Sequence, residues 1–292
     1  MIDLHLHSHF SDGLDSPSQL IEKALASKHD IKAIALTDHD SIEGVKEFLD
    51  YGEDKDIIVL PGVEISIKDD PKREIKDVHV IGLNIDYSSS KLNNELKLQL
   101  KGRIKQKEKI CKRLRDELGF KIRFQEVQKS AGGNSIGRPH IVDILIKNNS
   151  EKVKNYTKDK LFEMISVGGI AHFPRDFELT IEEAAESIKS AGGVPILAHP
   201  GIYEVQDRSL FVAMCVDAGI KGIEIEYTYD KNRPFLGTEK ASWAKKFFPE
   251  LFGKIAIKYD LIKSGGSDYH GGKKNIFIGD AGVPDAYLKR LI

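Results

Sequence analysis

Short apolar runs recur along this chain, and each one ends in, or is built around, a histidine or a carboxylate. Lys32 to Thr37 leads into Asp38-His39-Asp40, and Asp56 to Val63 into Glu64. The same grammar recurs around His5 and His7, around His79, in the run ending at His199, around Glu224, and in the run ending at Asp268 and His270. Runs of this length rich in Val, Ile and Leu read as buried strands. Between them Ser18–Lys28, Ser41–Tyr51, Ile181–Ala191 and Ser209–Ala218 carry apolar residues at helical spacing. Ser16-Pro17, and Thr180 with Glu183 three residues on, are helix-start signals.

Strands alternating with helices over short connections predict parallel strands with helices outside. In a barrel of such units the carboxyl ends of the strands form the active site, which is where these polar residues fall. An open doubly wound sheet is the competing architecture. It gathers ligands at one crevice, whereas here many strand ends contribute, so a barrel is the expected fold.

From residue 88 to 166 the grammar changes to long polar helical sequence. The expected organisation is therefore a barrel from 1–87 and 167–292 with an inserted, mainly helical subdomain at 88–166. Over Lys91 to Glu117 there are ten Lys/Arg against four Asp/Glu in a chain whose formal charge is −1. That run reads either as a solvated helix face or as an electropositive wall beside the strand-end site. The near-neutral total excludes a broadly basic nucleic-acid coat. Two distant cysteines, Cys111 and Cys215, fit a reducing compartment, with cytoplasm as the expected location. No apolar run approaches a membrane span of about 18 residues, and nothing calls for an obligate protein partner.

His5 and His7, two apart in a strand, place both imidazoles on one face. With Asp12, His39, Glu64, His79, His199, Asp268 and His270 they make six histidines and three carboxylates that a barrel mouth would gather. Nitrogen and oxygen donors without cysteine suit Mn²⁺, Zn²⁺ or Fe²⁺ in a catalytic site. Nine donors exceed what one ion uses, and a carboxylate such as Glu64 can bridge two. Two or three divalent ions are expected, Mn²⁺ foremost, activating a bridging hydroxide. Asp38 and Asp40 read as orienters of His39, and one of Glu224 and Glu226 as an inward-facing support. His9 lies beside the cluster, His29 at the end of an outer helix, and His172 in a structural loop.

The chain resembles the polymerase and histidinol phosphatase (PHP) family of metal-dependent phosphoesterases. The motifs that carry the likeness are HLHSHFSDG (His5–Gly13), TDHDS (Thr37–Ser41), AHPG (Ala198–Gly201) and GSDYHG (Gly266–Gly271), with Glu64 and His79 between them. The resemblance implies a distorted (β/α)7 barrel with three metal sites. His5, His7, Glu64 and Asp268 would hold the first ion, Glu64, His79 and His199 the second, and Asp12, His39 and His270 the third. His199 and Asp268 would also stand at the catalytic centre. The insertion with GRPH (Gly137–His140) is similar to the branch acting on nucleoside 3′,5′-bisphosphates and short 5′-phosphorylated oligoribonucleotides, and implies that Arg138 and His140 reach the substrate phosphate.

A guanidinium at 138 suits phosphate, because its planar fork gives two parallel hydrogen bonds. His140 has three readings: general acid, phosphate donor, or cap after Pro139. Arg103 and Lys107 are further candidates for a second phosphate or an RNA backbone, and Arg175 for an approach to substrate. The expected activity is hydrolysis of a phosphate ester, the 3′-phosphate of a nucleoside bisphosphate, with short RNA as a second substrate. Two rivals remain: an amidohydrolase-type C–N hydrolase, which commonly needs a carboxylated lysine where Glu64 stands, and a non-catalytic metal-containing nucleotide-binding module.

Overall fold

The computed structural model describes residues 1–131, 135–272 and 275–292. β1 (Ile2–Leu6) is followed by α1 (Pro17–Leu25), β2 (Ala33–Leu36), α2 (Val45–Gly52), β3 (Ile58–Ser66) and β4 (His79–Leu83). A long helical passage follows: α3 (Ser90–Asp116), α4 (Phe124–Ala131), α5 (Arg138–Asn148), α6 (Ser150–Val153), α7 (Lys158–Ile165) and α8 (Ile181–Ser190). The chain then forms β5 (Val194–Leu197), α9 (Arg208–Asp217), β6 (Gly222–Tyr227), α10 (Ala241–Lys258) and β7 (Ile262–Gly266). The start signals act as read: Ser16 and Gln19 close a capping box on α1, and Thr180 and Glu183 another on α8.

The seven strands pair in chain order. The two ends of the sheet meet, since Asp268 N donates to His5 O and His7 N to Tyr269 O, both at 3.0 Å. A Cβ at position 266 would lie 2.3 Å from His5 Cβ, so glycine is what lets β7 close against β1. The result is a distorted, nearly closed (β/α)7 barrel.

One strand departs from the parallel pattern. β4 is antiparallel to both β3 and β5, while the other pairs are parallel. Parallel neighbours need a crossover, and the segment 67–78 holds only a single 3-10 turn at Pro71–Arg73, so the chain doubles back instead. This reversal puts the start of β4, and hence His79, at the rim where its neighbours end.

β4 thus delivers the chain to the barrel floor, from which α3 climbs. Its 27 residues span about 40 Å. Leu92 and Leu96 near its start pack into the barrel core, whereas Ile110, Cys111 and Leu114 belong to a separate apolar cluster running from Ile110 to Ala171. A wall with its own core therefore rises beside the barrel mouth.

Candidate metal centre

Alternation along β1 turns Asp3, His5 and His7 to one side and Ile2, Leu4 and Leu6 to the other. All six are fully buried. Asp3 at the lower end accepts from Ser267 N at 2.9 Å and Gly279 N at 2.7 Å, tying β1 to the segment after β7. His5 and His7 above it point their Nε2 atoms at each other across 3.0 Å.

Glu64, from β3, stands in the middle of the mouth. Its Oε1 is 2.9 Å from His79 Nδ1 and 3.0 Å from His199 Nε2. Its Oε2 is 2.8 Å from His39 Nδ1 and 3.4 Å from the Nε2 atoms of His5 and His7. Asp268 Oδ1 lies 3.2 Å from His7 Nε2, and His270 Nε2 lies 3.1 Å from Asp12 Oδ1. All nine residues singled out in the sequence thus face one volume.

Their donor atoms form four overlapping groups, each within 4.8 Å: His7, Asp12, His39 and His270; His5, Glu64 and His199; His5, His7 and Asp268; His39, Glu64 and His79. Three memberships go beyond the three-site partition expected from the resemblance: His7 also joins the Asp12 group, His39 also joins Glu64 and His79, and His5 also joins Glu64 and His199.

The donors fit divalent ions better than they fit each other. Glu224 Oε1 accepts from His5 Nδ1 at 3.1 Å, which places a proton on Nδ1 and makes Nε2, facing His7, the nitrogen turned to the mouth. Among the described residues, His7 Nδ1 and His199 Nδ1 are buried with no hydrogen-bond partner, and Glu64 Oε2 meets His39 Nδ1 at 2.8 Å without hydrogen-bond geometry. Burial would raise the Glu64 carboxyl, but His39, His79 and His5 around it hold it well below the usual range. Burial lowers the His7 imidazole to about 3, with His270 and His39 adding to the effect, so the ring is neutral at physiological pH. Burial opposes charge on His39 too, yet Glu64 and Asp12 lift it to about 9. A cation placed here satisfies the carboxylates without forcing protons onto imidazoles. Thiolates take no part: Cys111 and Cys215 are buried in apolar clusters, and burial pushes both thiols up to about 12.

His199 and Asp268 sit in the left-handed region at φ +30° and +54°, as does Asp40 at +50°. Such backbone costs about 1–3 kcal/mol in a non-glycine residue and persists where surrounding contacts over-determine it.

The flanking residues divide differently from the expectation. The Asp38 carboxylate takes Ser8 N at 2.8 Å, Ser8 Oγ at 2.6 Å and Ser11 Oγ at 2.5 Å, so it fixes the loop carrying Asp12 rather than the His39 ring. Asp40 accepts from Ser66 N, Gln99 Nε2, Arg103 Nε and Nη2, and Arg175 Nη1. Arg103 and Arg175 are therefore internal counter-ions instead of groups free for substrate. Of Glu224 and Glu226, the first is fully buried and faces the histidines.

Arg138 is held by Nη1 to Asp77 Oδ2 at 3.0 Å and Ser166 Oγ at 3.1 Å. His140 is buried, and its Nδ1 accepts from Gly137 N at 3.1 Å, which is the capping reading. A Cβ at Gly137 would lie 3.4 Å from Asp12 Oδ2, so the start of α5 abuts the donor cluster. Lys107 is buried with its Nζ 2.9 Å from Gln106 Oε1. Burial and the nearby Arg175, Arg103 and Arg138 hold its ammonium well below the usual range. His9 stacks on Phe10, and His29 lies 3.5 Å from Asp280, away from the cluster. Sequence reading passed over Gln99, although its spacing of four from Arg103 puts both on one face of α3.

The PHP domain signature matches residues 3–195. This chain belongs to the PHP domain family. It is 31% identical over 274 residues to a 5′-3′ exoribonuclease of Haemophilus influenzae, covering 92% of this chain and 89% of that one. To a 3′,5′-nucleoside bisphosphate phosphatase of Chromobacterium violaceum it is 29% identical, covering 92% and 87%. A solved structure described as a metal-dependent phosphoesterase, from Bifidobacterium adolescentis, superposes with a TM-score of 0.79 at 25% identity, covering 99% of this chain and 94% of that chain. The PHP domain here is that of a metal-dependent phosphoesterase, a phosphoric ester hydrolase. Among the described residues, no helix is long and apolar enough to cross a membrane.

Proposed function

We propose that this PHP-domain protein removes the 3′-phosphate of a nucleoside 3′,5′-bisphosphate, and trims short 5′-phosphorylated RNA in the same pocket. The observation that carries the reading is Glu64, whose two oxygens face His39, His79 and His199 at 2.8–3.0 Å in the centre of a nine-donor mouth. In this reading the ligands are His5, His7, Asp12, His39, Glu64, His79, His199, Asp268 and His270, holding two or three ions. Mn²⁺ suits the histidine-carboxylate set best, with Zn²⁺ or Fe²⁺ as alternatives. Bound there, the ions polarise a phosphoryl oxygen and make water a nucleophile at neutral pH.

The protein's own groups do the rest. Asp268, with Oδ2 held by Tyr227, turns Oδ1 into the mouth 3.2 Å from His7 Nε2, where as a ligand it would fix the place of the attacking water. His199, at the opposite side of Glu64, orients the reacting phosphate. Arg138 is only half-buried at the wall and engages through one nitrogen among the described residues, so the rest of its fork is available to a second phosphate. The named relatives act on a nucleoside bisphosphate or on RNA, which supports this pairing of substrates.

The test is phosphate release by Mn²⁺-loaded protein from nucleoside bisphosphates, nucleoside monophosphates, histidinol phosphate and 5′-phosphorylated oligonucleotides. The bisphosphate is expected to have the highest kcat/KM, and Asp268→Ala to lower it about 10³-fold. Preference for histidinol phosphate sinks the substrate assignment. An Asp268→Ala variant as active as the parent sinks the proposed role of that residue.

A further inference from the structure

β6 supplies none of the nine candidate donors, yet it runs behind three of them. Its register against β7 slips once: Glu224 pairs with Ser264, Glu226 with Gly265 and Tyr227 with Gly266. Ile225 and Glu226 thus share one position opposite β7, a bulge. In a regular strand Glu224 and Tyr227, three apart, would face opposite ways. The bulge turns both inward, where they are 0% and 4% exposed, and leaves Glu226 partly in solvent.

Both inward side chains then meet the donor cluster. Glu224 Oε1 accepts from His5 Nδ1 at 3.1 Å, while its Oε2 accepts from the backbone N–H of His199 at 2.7 Å. Tyr227 donates its hydroxyl to Asp268 Oδ2 at 2.8 Å. Two of the three residues so held, His199 and Asp268, are those with left-handed backbone. One strand therefore braces groups from β1, from the end of β5 and from the end of β7.

We propose that the β6 bulge makes Glu224 and Tyr227 a pair of positioning residues that set the tautomer of His5 and the placement of His199 and Asp268 for metal. The inference rests on the reading of the mouth as a metal centre. Neither residue touches the reacting atoms. A Glu at 224 is required because both partners donate: one carboxylate accepts twice, whereas an amide has one acceptor and would turn an NH₂ toward a second donor. Partners behind a metal ligand typically control affinity by about 10–100-fold.

The experiment is Mn²⁺ titration calorimetry and Mn²⁺ EPR on the full chain, stripped with chelator, for the parent, Glu224→Gln, Tyr227→Phe and the outward control Glu226→Gln. Glu224→Gln is expected to weaken the tightest Mn²⁺ by about 10–100-fold and Tyr227→Phe by about tenfold. In both the EPR splitting of bound Mn²⁺ changes, and Glu226→Gln matches the parent in both measurements. A parent-like affinity and spectrum in Tyr227→Phe or in folded Glu224→Gln overturns the proposal, as does an equal loss in Glu226→Gln. If Glu224→Gln does not fold, Tyr227→Phe, which removes a single oxygen, decides alone. A parent that binds no Mn²⁺ refutes the metal reading itself, an outcome distinct from parent-like variants.

Discussion

His39 and Asp40 are neighbours in the chain, yet they enter two buried polar clusters of opposite kind. Around Asp40 the charges are paired from within: Ser66 N, Gln99, Arg103 and Arg175 all donate to one carboxylate, Arg103 also reaches Ser66 Oγ at 2.6 Å, and Arg175 Nε lies 3.3 Å from Glu178 Oε1 as an ion pair without hydrogen-bond geometry. Around His39 the imidazoles and carboxylates crowd together with buried lone pairs left over. A saturated network rigidifies a fold, while an unsaturated one of nitrogen and oxygen donors calls for something from outside. The Asp40 cluster joins α3 and the 175–179 segment to the barrel, and the His39 cluster is what that joint serves.

The sharpest way to break this contrast is to remove the saturated half. Asp40→Asn leaves Arg103, itself buried, without its carboxylate, and is expected to cost about 3–5 kcal/mol of unfolding free energy. Burial would raise the Asp40 carboxyl, but Arg103 and Arg175 hold it well below the usual range. A depressed carboxyl stabilises above its unfolded value near 4 and loses that contribution as pH falls toward the folded value. The gap between parent and Asp40→Asn in urea unfolding is therefore largest above about pH 5 and narrows below about pH 4. A gap that is small, or constant with pH, shows that the ion cluster is not what binds the inserted helices to the barrel.

On the proposed metal reading, the unsaturated half responds to a divalent cation. Mn²⁺ at about 100 times its Kd should add about 2.7 kcal/mol per independent site to the chelator-treated protein, raising Tm by several degrees. The same addition should leave the Asp40→Asn deficit in place, since the two clusters are satisfied separately. Thermal scans of both proteins with and without Mn²⁺ check this. An unchanged parent Tm counts against a mouth that is short of cations.

Legibility in the sequence followed the same division. That the nine candidate donors share one mouth was readable because strand ends mark them: a period of two sets His5 with His7, and apolar runs stop at His39, His199 and Asp268. What alternation alone does not encode stayed hidden. The antiparallel turn of β4 depends on a connection without a crossover helix. The inward face of Tyr227 depends on a bulge that a strand-like GIEIEYT does not announce. Arg103 and Lys107 read as a basic surface because composition counts charges and not burial; only packing against Asp40 shows that Arg103 is already neutralised. The glycine at 266 could be placed in a motif, but its reason, contact with His5 Cβ, exists only once the barrel closes.

Arg138 lies between the two regimes and sharpens the boundary between them. It is paired with Asp77 and Ser166 through Nη1, but its side chain is 29% exposed and that of Asp77 41%, so the pair contributes little to stability in water. If the remaining nitrogens serve a phosphate, Arg138→Lys keeps the charge and loses the fork. The expected result is a KM for the bisphosphate raised about tenfold, equivalent to about 1.4 kcal/mol, with kcat nearly unchanged. Unfolding free energy should shift by no more than about 0.5 kcal/mol. Steady-state kinetics and urea unfolding on the same preparation separate the outcomes. A loss of several kcal/mol in stability with an unchanged KM would place Arg138 with Arg103, as a tie between insertion and barrel, and would move phosphate recognition to another part of the wall.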